Sequence, residues 1–140
     1  MSSTPCSAIW LPRSRRAPGE GRTLLASLLD SAPTGEQFLD SGLVIVSELV
    51  TNALLHGTPP GHRIYLSLSL DYDPDFDPHP TCLRIEVHDA RRDREPVLRA
   101  LTLDGEAGRG LHLVKSLSKE TGCSPRQPIG KIVWSEVTAA

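Results

Sequence analysis

The sequence reads as an α+β domain in which helices cover one face of a mixed, mostly antiparallel sheet. Three observations carry this expectation. Two stretches before residue 57 repeat apolar residues at helical spacing, and two later stretches alternate apolar with polar residues in the strand period of two. The order that results is helices, a strand pair, a helix and a second strand pair, which suits helices segregated to one side of an antiparallel sheet. A chain of 140 residues is enough for one domain with its own core. That domain is expected over residues 8–138, behind a flexible N-terminus at 1–7.

Each element has a local reason. Ala8-Ile9-Trp10-Leu11 reads as a short strand, followed by the basic cluster Arg13, Arg15 and Arg16, whose commonest role is a solvated loop. Leu24, Leu25, Leu28 and Leu29 recur at helical spacing and predict a helix over about 19–30, ended by Pro33 and Gly35. The longest apolar stretch, Phe38 to Leu55, predicts a helix over about 36–56, stopped by Gly57 and Pro59-Pro60. Ile64, Leu66, Leu68 and Leu70 alternate with Tyr65, Ser67 and Ser69, and Leu83, Ile85 and Val87 alternate with Arg84, Glu86 and His88. These two strands are expected to form a hairpin with a long tip over 71–80. Residues 90–107 lack an apolar pattern and read as a loop. Gly108-Arg109-Gly110 opens a helix over about 111–117, and residues 119–125 and 131–137 form a last strand pair around a turn at Gln127-Pro128-Ile129-Gly130.

The totals exclude several classes. Formal charge is −2, so no global field draws nucleic acid or an anionic membrane. Aromatic residues are 4% of the chain, too few for base-stacking platforms. Cys6, Cys82 and Cys123 are odd in number and scattered, a spacing that suggests neither zinc nor a disulfide framework and fits a reducing cytosol. No signal peptide is visible, and no run reaches about 18 consecutive apolar residues. A soluble cytoplasmic protein is the expectation.

Glu48, Asn52 and His56 fall four residues apart on the long helix and form one polar stripe. Polar groups on a largely buried helix need partners. A carboxylate and an amide there can hold a hydrated Mg²⁺, and the carboxylate can orient or deprotonate a hydroxyl. A satisfied polar pair at a helix edge is the commoner explanation of such spacing. His56 is more simply a helix-end residue. Asp89 closes a hydrophobic strand and can accept a hydrogen bond from a purine amino group, or serve as an ordinary turn residue. Gly108-Arg109-Gly110 before a helix is a candidate phosphate cradle, with Leu111 next in line. It lacks the Walker A and Rossmann patterns. Asp71-x-Asp73-x-Asp75 begins like a calcium loop but fails at Phe76 and Cys82. The histidines show no metal-ligand spacing.

Taken in order, Glu-x-x-x-Asn-x-x-x-His-Gly, a strand ending in Asp, a loose segment and Gly-x-Gly at a helix start resemble the GHKL (Bergerat-fold) ATP-binding domain. The nearest likeness is to its branch of bacterial anti-sigma-factor serine kinases. "SELVTNALLHG" resembles the N box, "EAGRGLHLV" the second glycine box, and "GKIVWSEV" the last strand. The resemblance spans roughly residues 8–137. It implies a two-layer α/β sandwich with ATP and Mg²⁺ as cofactors. Asn52 would contact Mg²⁺ and the phosphates, Glu48 would be the general base, and Asp89 would read the adenine amino group. Gly108, the Arg109 backbone, Gly110 and Leu111 would line the nucleotide, with residues 90–107 as a lid. Two departures stand out: Asp89-Ala90-Arg91-Arg92-Asp93 lacks the usual glycines, and Ile132 occupies the position expected for a nucleotide-facing Thr.

The function implied is a serine/threonine protein kinase that acts on an anti-anti-sigma (STAS-type) partner and sequesters a sigma factor, with a homodimer implied by the same branch. A weakly catalytic or inactive nucleotide-responsive binding module, and the ATP-binding subunit of a split sensor-kinase system, are the alternatives.

Overall fold

The computed structural model describes residues 5–90, 106–126 and 129–139. Five strands form a single sheet: β1 (Cys6–Leu11), β2 (Ile64–Asp71), β3 (Cys82–Asp89), β4 (Glu120–Pro125) and β5 (Lys131–Thr138), in the spatial order β1-β2-β3-β5-β4. Every one of these pairings is antiparallel. Three helices, α1 (Ala17–Asp30), α2 (Leu39–Asn52) and α3 (Glu106–Leu117), lie on one face. This is the expected α+β two-layer sandwich.

The strand period decides what meets the helices. On β2, Ile64, Leu66, Leu68 and Leu70 are fully buried, as are Leu83, Ile85 and Val87 on β3. The intervening residues face away from the helices. There Arg84 bonds Glu86 at 2.8 Å and Glu136 at 2.7 Å, its guanidinium stacks 4.7 Å from the Trp134 ring, and Trp10, Tyr65 and His88 form an aromatic row. The sheet therefore has one dry face and one amphipathic face, the usual division in an antiparallel sheet.

The long helix is three segments in series. A 3₁₀ turn (Gly35–Phe38) leads into α2, and a π turn (Ala53–Gly57) ends it. The whole stretch Gly35–Gly57 is long and apolar enough to cross a membrane by composition, although polar residues such as Ser47, Glu48 and Asn52 interrupt it. Here it is the core helix: Phe38, Ile45, Val46 and Val50 are fully buried against the sheet and α1. Helix α1 starts at Ala17, two residues ahead of the expected start, with Pro18 in its first turn where the missing N–H is harmless. Strand β1 also starts two residues early, at Cys6, and Leu70 N–H donates to Pro5 O at 3.0 Å.

One expectation is corrected. Helix α3 begins at Glu106, so Gly108-Arg109-Gly110 does not precede the helix but forms its early turns. Glycine is a poor helix former, which is why the sequence placed the boundary after it. The first helical N–H groups lack intrahelical partners in any case, so low propensity costs least there.

Candidate functional site

One end of the sheet gathers the polar residues of the helix layer. Strand β3 ends there with Asp89, β5 begins there with Lys131, and the π turn after α2 lies above them. Asp89 continues the alternation of Leu83, Ile85 and Val87, so its carboxylate points into the helix layer and is only 1% exposed. The register sets it across from Lys131. The Lys131 ammonium donates to Asp89 Oδ2 at 2.9 Å and to Oδ1 at 3.1 Å.

Backbone approaches close the walls around this pair. Gly57 lies so near that a Cβ there would collide with Asp89 Oδ2, and a Cβ on Gly130 would collide with the Asp89 carbonyl oxygen. Gly130 also has φ = 104°, a left-handed conformation that suits glycine. Thr58, the next residue after the π turn, is 4% exposed, and its carbonyl accepts from Arg13 Nε at 2.7 Å. That bond ties the basic cluster to the end of α2. Arg13, Arg15 and Arg16 are otherwise exposed, as a solvated loop requires.

The second cluster lies one and two turns back along α2. Glu48 is half-buried, and its Oε2 packs on Gly110 of α3, where a Cβ would collide with it. An anion against the early turns of a helix is favourably placed in the helix dipole. Asn52 carries a buried Nδ2 with no hydrogen-bond partner, and Thr58 Oγ1 is the other such atom among the described residues. An orphaned amide in a native interior calls for an explanation, and an ordered water or a polar ligand would satisfy it. His56 is exposed in the π turn, off the stripe that begins with Glu48 and Asn52. π turns of this kind are frequent at functional sites.

The cation question can be put to the donor set. No group of three or more His, Cys, Asp or Glu able to hold a metal occurs among the described residues. Mg²⁺ does not need one: it is commonly held by one or two protein oxygens plus waters and substrate phosphates. Turning the Asn52 amide would present its oxygen in place of the orphaned Nδ2, since the two atoms are interchangeable in assignment. The residues fit that mode.

The structure thus brings Glu48 to Gly110, and Asp89 to Gly57 and Gly130. Leu111 is 8% exposed and belongs to the hydrophobic core beside Val114. Gly108 and Arg109 lie in α3, and the side chain of Arg109 falls outside the described residues. Residues 91–105 of the lid segment also fall outside them, whereas Ala90 is buried and residues 106–107 belong to α3. The expectation for Ile132 is corrected. It faces the open side of the sheet with Trp134, opposite His88, and the β5 residue that faces the site is Lys131. A one-residue step along a strand exchanges faces. Lys131 was missed, although Gly130 ahead of a Lys that opens a strand is visible in the sequence.

A helix-borne Glu/Asn pair, an Asp closing a strand beneath the helix end, and a glycine-bearing helix over the Glu define a nucleotide-binding two-layer domain. The comparisons agree. The profile of the histidine kinase-like ATPase domain matches residues 14–135, and the chain belongs to that family. Among solved structures it is similar to the RsbU and RsbW domains of Rv1364c from Mycobacterium tuberculosis, with a TM-score of 0.67 and 19% identity over 97% of this chain. The chain spans 33% of the length of that structure, and the likeness is one of fold. No protein of curated function matches.

Proposed function

We propose that this domain is an ATP- and Mg²⁺-dependent regulatory kinase of the anti-sigma-factor type. It would transfer the terminal phosphoryl group to a Ser or Thr of a STAS-type anti-anti-sigma partner, and hold a sigma factor in its other state. Family membership supports ATP binding. The observation that carries the kinase reading is the Glu48 carboxylate packed on Gly110, one helical turn from the orphaned Asn52 amide. Phosphoryl transfer asks a protein mainly for positioning and charge stabilisation, and these elements supply both. Glu48 accepts the hydroxyl proton as the hydroxyl oxygen bonds to the terminal phosphorus and the bridging P–O bond breaks, releasing ADP. Asn52 presents its amide oxygen toward the cation and phosphates, Asp89 accepts from the adenine amino group, and the α3 backbone at Gly108–Gly110 faces the phosphates. A bound Mg²⁺ would supply charge neutralisation of the phosphate oxygens.

The similar solved structure holds an RsbW domain together with an RsbU domain, which supports a domain that works with regulatory partners; a cytoplasmic location and a homodimer belong to the same proposal. A second reading, a nucleotide-responsive binding module without catalysis, is favoured by the Asp89 segment, which lacks glycines in Asp89-Ala90-Arg91-Arg92-Asp93. Calorimetric titration with Mg·ATP at up to millimolar concentration is the primary test, and binding is expected. Absence of binding sinks the kinase and sensor-subunit readings together. If ATP binds, Glu48→Ala should abolish phosphotransfer to a STAS-type protein. Full activity in that variant rules out the role given to Glu48.

A further inference from the structure

Asp89 does not stand alone at the base of the site. Lys131 is 6% exposed and Asp89 1% exposed, with the ammonium at 2.9 and 3.1 Å from the two carboxylate oxygens. A buried ion pair is a poor source of stability, because desolvating both charges offsets their attraction, and apolar residues of similar size often do as well. Its place is also specific. It caps the end of the β3–β5 ladder, directly beneath Gly57 at the close of the helix that carries Glu48 and Asn52. The chain thus holds an acceptor and a cationic donor side by side at the end of the sheet where the proposed ATP site lies.

That pairing has a chemical counterpart. The edge of a 6-aminopurine shows an amino donor next to a ring nitrogen, N1, that accepts. A carboxylate alone reads the amino group and leaves N1 unread. A carboxylate has about four acceptor positions and an ammonium three donors, so each group can serve more than one partner at a time. We propose that Lys131 is a base-reading residue, donating to N1 of adenine while Asp89 accepts from the amino group. The inference rests on the ATP-site reading above and extends it: the site selects its base through two adjacent contacts of opposite polarity. The donor comes from β5 at the residue next to Ile132, on the face that Ile132 does not share.

The test is competition binding of ATP and 1-deaza-ATP, in which a C–H replaces N1, against a fluorescent ATP analogue on the full chain with Mg²⁺. The wild type should bind 1-deaza-ATP about ten- to a hundredfold more weakly than ATP, the loss of a hydrogen bond from a charged donor. Lys131→Met should bind the two within about twofold of each other. Because that variant leaves Asp89 buried without its cation, the pair Asp89→Asn/Lys131→Met is measured beside it. It removes both charges, keeps an oxygen that accepts from the amino group, and should be equally indifferent to N1. If the wild type binds ATP and 1-deaza-ATP alike, or if the folded variants still discriminate, the role of Lys131 is refuted while the ATP site stands. If ATP itself fails to bind at millimolar concentration, the site reading falls and takes this inference with it.

Discussion

Gly110→Ala separates the site's chemistry from the fold's stability. The three atoms nearest the new methyl group would be Glu48 Oε2 and the two carbons behind it, the far end of a flexible side chain. Replacing Gly by Ala within a helix gains about 1 kcal/mol of propensity. Turning the half-buried Glu48 to another rotamer, or holding it off-rotamer, costs about 0.5–1.5 kcal/mol. The two nearly cancel, so stability should stay within about 1 kcal/mol of wild type, a shift of no more than about 4 °C in Tm for a domain of this size. Catalysis should respond differently, since displacing a catalytic group by about 1 Å costs about a hundredfold. Gly35→Ala is the contrast. Its methyl would strike the Leu29 backbone carbonyl, which cannot rotate aside, and the loss should reach about 3 kcal/mol. Thermal melts and single-turnover phosphotransfer on both variants give the comparison. The reasoning is refuted if Gly110→Ala destabilises as much as Gly35→Ala, or if it folds and keeps activity within twofold of wild type.

Three further outcomes follow from the same contacts. Burial acts to raise the Glu86 carboxyl, but the hydrogen bonds from Arg84 and His88 outweigh it and hold its pKa below the ordinary 4.5. A carboxyl depressed on folding stabilises at pH values above 4.5, and that contribution fades as pH falls through the folded value; Glu86→Gln should therefore flatten the acid limb of a Tm-versus-pH curve, while an unchanged limb would contradict the pairing. Burial, with the Glu136 and Asp71 carboxylates adding to it, raises the Cys82 thiol, so maleimide should label exposed Cys6 and Cys123 well before Cys82, as peptide mapping of the labelled chain would show. Asp89→Ala removes one partner of a buried ion pair and should cost about 3–5 kcal/mol in denaturant unfolding; a loss below about 1 kcal/mol would mean that the pair opens to water.

Much of this was legible in the sequence, and the failures share a cause. Alternation in Ile64–Leu70 and Leu83–Val87 gave strands whose buried residues the structure reproduces one for one, because a period of two is a local property. The core helix was visible for the same reason. Three features were not local. The packing of α3 on α2 brings Gly110 to Glu48 across some sixty residues of chain. The π turn that brings Gly57 onto Asp89 shows no compositional mark within Ala53–Gly57. The face of β5 toward the site depends on its register with β3, and reading Ile132 as the facing residue was a slip of one position, the smallest that reverses a strand's faces.

That slip bears on how the site is divided. With Ile132 in the facing position, the base end would look like a worn site that had lost a polar contact. With Lys131 there, it is a site with a different one. The two ends are also built differently. At Gly110, a side chain with several rotatable bonds rests on helix backbone, and small displacements cost little stability. At Asp89, two buried charges are fixed by strand register and by two glycines whose backbones leave no room for a Cβ. Substitutions at the first end should change rate with the fold intact, whereas at the second they should change affinity and stability together. A variant series that showed the opposite division would place the chemistry at Asp89 and leave Glu48 a packing role.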